Sequence, residues 1–257
     1  MIECQDVSFS YPASTLPDSE RQVGGALKHI SCTIEDGSFV LLCRTSGCGK
    51  TTMTRLFNGL IPHYHEGTYT GSVYLDGKDT RDLSLFDISL KVGSVFQNPR
   101  SQFFNVDTTS ELAFGPENHG MPEDIVRDRV KRVAAQLKLE PLLDRSIFSL
   151  SGGQKQRVAV ASAIASERPL ILFDEPTSGL DLFHMRQVAN VVNQVANTGR
   201  TALVVTHDPE FILRCCNYVL HLENGQIQES YSIEDSDGRK RLLKFFLSDM
   251  KKEVSTE

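Results

Sequence analysis

Short apolar runs of the length of β-strands alternate with helical patterns over most of the chain. This alternation predicts an α/β core that contains parallel strands. The opening segment places apolar Ile2, Cys4 and Val7 between polar neighbours, as expected for a strand with one buried face. The other predicted strands are residues 39–43, 73–75, 92–96, 170–173, 202–206 and 218–222.

The helical patterns predict how the chain is divided. They begin at Gly49, Ser110, Pro122, Ser151 and Phe183. Between about residues 108 and 150 the pattern is mainly helical, which predicts a helical lobe inserted into the core. We therefore expect a core domain over residues 1–230, with a helical subdomain inserted at approximately residues 100–155, and a short C-terminal helical tail at residues 231–257.

The tail begins with acidic residues and continues with an apolar helical stripe. The stripe consists of Leu242, Leu243, Phe246, Leu247 and Met250. Such a stripe predicts a helix that packs on its own domain or on a partner, in preference to one that binds a membrane surface.

Composition and charge favour some classes of protein and argue against others. With 257 residues, of which 40% are hydrophobic and 23% charged, the chain has an ordinary globular composition. Its longest apolar runs fall far short of the roughly 20 residues that cross a bilayer, and the N-terminus opens in a strand pattern instead of a secretory signal. Six cysteines without metal-ligand spacing favour a reduced, cytosolic chain. The net charge of −6 argues against a nucleic-acid partner.

Residues 41–52, LLCRTSGCGKTT, end an apolar strand in a glycine-containing turn that leads into a helix. Backbone N–H groups in such a turn can bind phosphate at the helix N-terminus. Lys50 is expected to reach the β- and γ-phosphates, and the Thr51 hydroxyl to coordinate magnesium. Arg44 replaces the first glycine of the G-x-x-x-x-G-K-[ST] pattern, a change we expect to be tolerated because later residues supply the N–H donors. The expected nucleotide-binding residues of this turn are Thr45, Ser46, Gly47, Cys48, Gly49, Lys50, Thr51 and Thr52.

Two further segments and one histidine contain candidate functional residues. Residues 169–181, PLILFDEPTSGLD, form an apolar strand that ends in Asp174, which is expected to hold magnesium, and Glu175, which is expected to orient and polarise the attacking water. In residues 150–157, LSGGQKQR, a serine and two glycines precede a helix and suggest a second anion site, although an ordinary serine N-cap would have the same sequence. His207 ends an apolar strand, from which it could donate a hydrogen bond to the γ-phosphate.

The order of these motifs resembles that of the ATP-binding subunits of ABC transporters over nearly the full chain. The resemblance implies a P-loop NTPase core of mixed sheet with an antiparallel β subdomain and an inserted α-helical subdomain. It also implies ATP and Mg²⁺ as ligands. In the family's pattern, Tyr11 matches the aromatic residue that stacks on adenine and Gln97 matches the glutamine of the Q-loop, which contacts the magnesium. The catalytic residues implied are Glu175, His207 and Gln97, the metal ligands Thr51, Gln97 and Asp174, and the signature residues Ser151, Gly152, Gly153 and Gln154.

The family resemblance also implies partners. Since it places the signature helix far from the phosphate loop of the same chain, the chain is expected to form a homodimer, or a heterodimer with a second ABC ATPase. Transmembrane transporter subunits would hold this dimer peripherally on the cytoplasmic face of the cell membrane.

Within the family, residues 58–79 and 92–118 most resemble the ATPases of energy-coupling factor importers for vitamins or metal ions. The alternatives are an export-type ABC ATPase, a soluble ABC ATPase that takes no part in transport, and a nucleotide-binding module without hydrolysis.

Overall fold

The strands form two sheets. The computed structural model describes residues 1–12, 27–43 and 48–254, excluding the side chains of 247–254. The strands in these residues are β1 Ile2–Ser10, β2 Leu27–Ile34, β3 Phe39–Cys43, β4 Thr68–Leu75, β5 Lys78–Asp79, β6 Val92–Val95, β7 Leu170–Asp174, β8 Thr201–Val205, β9 Tyr218–Glu223 and β10 Gln226–Ser232. The predicted strands are confirmed to within a few residues, whereas β2, β5 and β10 were not predicted.

The larger sheet has the strand order β10-β9-β3-β8-β7-β6. Strands β9, β3, β8, β7 and β6 are parallel, and β10 pairs antiparallel with β9 at one edge. The smaller sheet is antiparallel throughout, in the order β2-β1-β4-β5. The prediction of a mixed α/β core with an antiparallel β subdomain is therefore confirmed.

The central strand β3 shows why its sequence is continuously apolar. All five of its residues are buried, because side chains that alternate between the two faces of the sheet enter two separate cores. Phe39, Leu41 and Cys43 pack with the helical part of the chain. Val40 and Leu42 pack instead with the antiparallel sheet and the helix that follows β3.

The helices surround the larger sheet and supply the inserted lobe. They are α1 Lys50–Phe57, α2 Leu60–His63, α3 Leu85–Ser89, α4 Thr108–Asn118, α5 Glu123–Gln136, α6 Gly152–Ala165, α7 Leu182–Ala196, α8 Pro209–Cys215 and α9 Ser236–Val254. The predicted helix starts lie within two residues of the observed ones, whereas α2, α3 and α8 were not predicted. In the inserted lobe, α4 crosses α6 so closely that a Cβ on Gly115 would lie 2.1 Å from the Ser166 hydroxyl oxygen.

The C-terminal helix α9 packs on its own domain. Leu242 is fully buried in the helical core, and Phe245 and Phe246 pack against that core. The predicted stripe was wrong at Leu243, which is 50% exposed, because Phe245 occupies the inward position instead. Leu247 and Met250 lie where side chains are not described. Within the described residues, the helices are too short or too polar to cross a membrane.

Candidate active site

The candidate site lies where parallel strands of the larger sheet end. Because these strands share a direction, the residues after β3, β6, β7 and β8 meet at one edge of the sheet, which is the usual ligand-binding edge of α/β folds. Asp174 pairs with Val205, so the segment after β8 begins level with the acidic pair. Val95 pairs with Phe173, so the segment that carries exposed Gln97 begins at the same edge of the sheet as the acidic pair.

The two adjacent carboxylates are half-buried and lie close to cationic groups. Burial raises the pKa of Asp174, while the Lys50 ammonium and the Arg55 guanidinium oppose that rise. Burial also raises the pKa of Glu175, with His207 opposing the rise and the charge of Asp174 adding to it. The charge of Lys50 opposes the rise in the pKa of both carboxyls, so the structure brings the predicted lysine and the acidic pair together.

The backbone of Glu175 is held in an unusual conformation. Its φ of 48° lies in the left-handed region, which a non-glycine residue adopts at an energetic cost of about 1–3 kcal/mol. Its N–H donates to the Val205 carbonyl at 2.8 Å, and its carbonyl accepts from the Ser178 N–H at 3.1 Å. Such strain is common where a catalytic group must be aimed.

The side chain of Glu175 faces the segment that follows β8. Its Oε1 lies 3.5 Å from His207 Nε2, and the Thr206 side chain makes a hydrogen bond with it. The His207 side chain is 55% exposed and that of Glu175 is 19% exposed. The carboxylate is therefore sheltered, while the imidazole beside it is open to a ligand.

The described part of the turn before α1 consists of Cys48 and Gly49. Gly49 is the N-cap of α1 with a φ of 105°, a conformation that favours glycine. Cys48 and Thr52 are buried and Thr51 is exposed. The Cys48 carbonyl accepts from the Gly225 N–H at 3.2 Å, which ties the turn to the hairpin of β9 and β10. Arg44, Thr45, Ser46 and Gly47 lie outside the described residues.

Tyr11, the predicted adenine-stacking residue, follows β1 and is half-buried. Its ring contacts Phe9 edge to face at a centroid distance of 4.9 Å. Its hydroxyl accepts from Arg55 Nη1 at 2.8 Å. These two contacts fix the ring at the end of the antiparallel sheet.

The predicted signature residues form the N-terminus of α6. Ser151 is its N-cap, and a capping box joins Ser151 to Gln154, with the Ser151 N–H donating to Gln154 Oε1 at 2.9 Å. Ser151 and Gly152 are exposed. A Cβ on Gly153 would lie 3.2 Å from Leu180 Cδ2, so the glycine permits α6 to approach the segment after the acidic pair.

Sequence reasoning missed three polar residues that contact the predicted site residues Tyr11 and Glu175. They are Arg55, Gln156 and Thr206. Thr206 had a usable signal, since it stands beside His207 at a strand end. The roles of Arg55 and Gln156 depend on contacts with Tyr11 and Glu175, which are distant in sequence.

A groove of about 470 Å³ separates the core from the inserted lobe. Among the residues that line it, Phe86 is 62% exposed and Phe104 is 77% exposed. Phe104 stacks on Phe114 of α4 at 4.9 Å. Phe96 also lines the groove and directly precedes Gln97, so the chain connects the groove to the candidate site.

Comparison with known proteins identifies relatives. A family model described as ABC transporter matches residues 27–178. A Treponema denticola protein named as an ABC transporter ATP-binding protein is 38% identical over 234 residues, which cover 91% of this chain and 46% of that protein. The chain thus spans about half the length of that relative.

Three solved structures are similar in fold. One is a dimeric ATP-binding cassette in a post-hydrolysis state, bound to ADP and Pi, with a TM-score of 0.78 and 26% sequence identity. The matched region covers 91% of this chain and 100% of the cassette chain. A Clostridium perfringens part of the ABC transporter complex cbiONQ has a TM-score of 0.72 and 25% identity over 99% and 98% of the two chains. A bacterial Atm1-family ABC exporter with ATP bound matches in fold alone, with a TM-score of 0.77 and 24% identity over 97% of this chain and 41% of the exporter.

The family model covers more than half of the chain, and the fold and the order of the motifs agree with it. The chain therefore belongs to the ABC transporter family of ATP-binding proteins.

Proposed function

We propose that the chain binds and hydrolyses ATP as the nucleotide-binding subunit of an ABC transporter. The observation that carries this proposal is the grouping of Lys50, Asp174, Glu175 and His207 at one edge of the sheet, with 3.5 Å between the Glu175 and His207 side chains. A cation, two carboxylates and an imidazole are the groups that phosphoryl transfer to water requires.

In this proposal each residue has one task. Lys50 binds the β- and γ-phosphates, and the N–H groups at the start of α1 add to that attraction. Glu175 orients the attacking water and accepts its proton, a task that the raised pKa of its carboxyl favours. His207 donates to the γ-phosphate from its exposed position beside Glu175.

The donor set at this edge fits Mg²⁺. Asp174 provides a carboxylate next to Lys50, and exposed Thr51 provides a hydroxyl at the start of α1. Hard oxygen donors of these types are those that Mg²⁺ prefers. When bound, the ion neutralises charge on the phosphates, and Asp174, Thr51 and Gln97 are the residues that would hold it.

The proposed active unit is a dimer. Ser151 and Gly152 are exposed at the N-terminus of α6, where they can contact a nucleotide held by a second copy or by a related ATPase. The similar cassette captured as a dimer with ADP and Pi supports this arrangement.

The proposed membrane partner docks in the groove between the core and the inserted lobe. Phe86 and Phe104 expose large apolar surfaces on its walls, and such surfaces mark protein contact sites. Because groove-lining Phe96 directly precedes Gln97 in the chain, a partner seated in the groove would be coupled to the nucleotide site through this segment. The chain itself would then lie peripherally on the cytoplasmic face of the membrane.

Among transporters, we favour an energy-coupling factor importer of vitamins or metal ions. The sequence resemblance over residues 58–79 and 92–118 supports this type, as does the likeness to the cbiONQ component over nearly both chains. Purification of the chain with its membrane subunits, followed by mass spectrometry of the bound solute, tests the assignment. A bound vitamin or metal ion supports the importer assignment. In a second experiment, membrane vesicles that contain the complex and expel solute when ATP is added would exclude it.

The hydrolysis proposal is tested with Glu175→Gln. Removing the base should lower phosphate release by about 10²-fold or more while ATP still binds and holds the dimer closed. Glu210→Gln is a matched control, because Glu210 is a glutamate paired with Arg186 and Arg214 away from the site. Unchanged turnover in Glu175→Gln would refute the assigned role.

A further inference from the structure

A buried glutamine joins the helix that begins at the signature residues to the proposed catalytic glutamate. Gln156 lies in α6 and is 1% exposed. Its Nε2 donates to the backbone carbonyl of Glu175 at 3.3 Å. We infer that Gln156 is a positioning residue that sets the direction of the Glu175 carboxylate, an inference that rests on the proposed function.

The conformation of Glu175 explains why it needs such a partner. In the left-handed region the peptide after Glu175 is turned away from the β7 ladder, so its carbonyl leaves the sheet. The Ser178 N–H and the Gln156 amide both donate to that carbonyl. Two donors from different elements fix the orientation of the peptide and hence the direction in which the carboxylate leaves the backbone.

A purely structural role would not require a glutamine at this point of α6. An amide buried to this degree is unfavourable unless it is hydrogen-bonded, and apolar residues fill most of the following turns of the helix. The Gln156 amide is therefore explained by the carbonyl that it reaches.

The position of Gln156 also suggests when this contact matters. It lies two residues after Gln154, in the helix whose exposed start is the proposed contact with the partner subunit's nucleotide. A rotation or displacement of α6 on dimer closure would carry the Gln156 amide with it. The contact would thus connect closure at the signature residues to the aim of Glu175 in the same chain.

The test is Gln156→Met, which keeps the length of the side chain and removes its donor. Because a misplacement of about 1 Å in a reacting group lowers rates by up to about 10²-fold, we expect kcat to fall at least about tenfold. The KM and Kd for ATP should stay within about twofold, since the described hydrogen bond of the Gln156 amide is to Glu175, which is not proposed to bind phosphate.

Ser162→Ala is the control. Ser162 is buried in the same helix and its hydroxyl donates to the Glu111 carbonyl at 3.0 Å, so its loss removes one α6 contact without touching Glu175. We expect Ser162→Ala to keep the wild-type kcat. A fall in kcat equal to that of Gln156→Met would overturn the inference, because general weakening of α6 would then explain both.

Gln156→Glu adds a readout that loss of packing does not give. A protonated carboxyl can donate to the Glu175 carbonyl, whereas an ionised carboxylate repels it. The ratio of variant to wild-type kcat should therefore fall as pH rises, and a ratio that does not change with pH would count against positioning. If Gln156→Met does not fold, Gln156→Glu still tests the inference.

The two proposals fail in different ways. If Glu175→Gln abolishes turnover but Gln156→Met has the wild-type kcat, only the positioning inference is wrong. If Glu175→Gln itself turns over normally, the proposed function has failed.

Discussion

Glu111 offers a test of how the groove is built. It lies in the first turn of α4 and is 2% exposed. Its Oε2 accepts from the backbone N–H groups of Phe104 and Asn105 at 3.0 and 2.9 Å, and from Asn105 Nδ2 at 3.3 Å. The carboxylate therefore holds the loop that presents Phe104 to the groove, and Glu111→Ala would leave these donors without their acceptor.

The loss of stability expected for Glu111→Ala follows from the two backbone N–H groups that lose their acceptor. A buried N–H group that loses its acceptor destabilises a protein by about 1–3 kcal/mol, so two such groups give about 2–5 kcal/mol after some access of water. For a chain of this size each kcal/mol corresponds to about 2–4 °C in Tm, so we expect Glu111→Ala to lower Tm by about 4–20 °C.

Thermal unfolding followed by circular dichroism measures this change. Glu111→Gln is the control, because its amide oxygen can still accept from the loop and should limit the loss to about 1–2 kcal/mol. Binding to the membrane partner should weaken in Glu111→Ala at temperatures where it remains folded. A Tm within about 2 °C of the wild type would refute the argument that the carboxylate holds the loop.

Three further predictions follow from the structure. Because burial raises the pKa of Asp174 above its ordinary value of 3.8, the protonated carboxyl is favoured by folding at low pH, and this contribution to stability is lost as pH rises through the raised pKa; Asp174→Asn should therefore raise Tm more at neutral pH than below about pH 3.8. Gly115→Ala should destabilise by about 1–3 kcal/mol in urea unfolding, and adding Ser166→Gly should restore most of the loss. Tyr11→Ala should raise the Kd for ATP about tenfold in calorimetry, whereas Tyr11→Phe should change it by about threefold or less.

The central sheet could be predicted from sequence because burial on both faces makes its strands continuously apolar. Strands β3, β7 and β8 are such runs. The antiparallel strand β2 was missed because its register with β1 shifts twice, which breaks the apolar alternation. Strand β10 was missed because none of its residues is fully buried, so its polar sequence carries no periodic signal.

Some residues of the candidate site could be predicted from local sequence, whereas others depend on contacts between distant parts of the chain. Lys50, Asp174 and His207 could be predicted because each stands at a strand end or a helix start, where short motifs carry their own geometry. Gln156 could not, because its contact joins residues 19 positions apart and depends on how α6 packs against the end of β7. A motif in sequence thus identifies the groups that react, but the side chains that aim them are found only once helix and sheet are placed together. We therefore expect variants at Gln156 to alter kcat although the sequence motifs assigned this residue no role, and a wild-type kcat in Gln156→Met would show that the residues assigned from the motifs are sufficient.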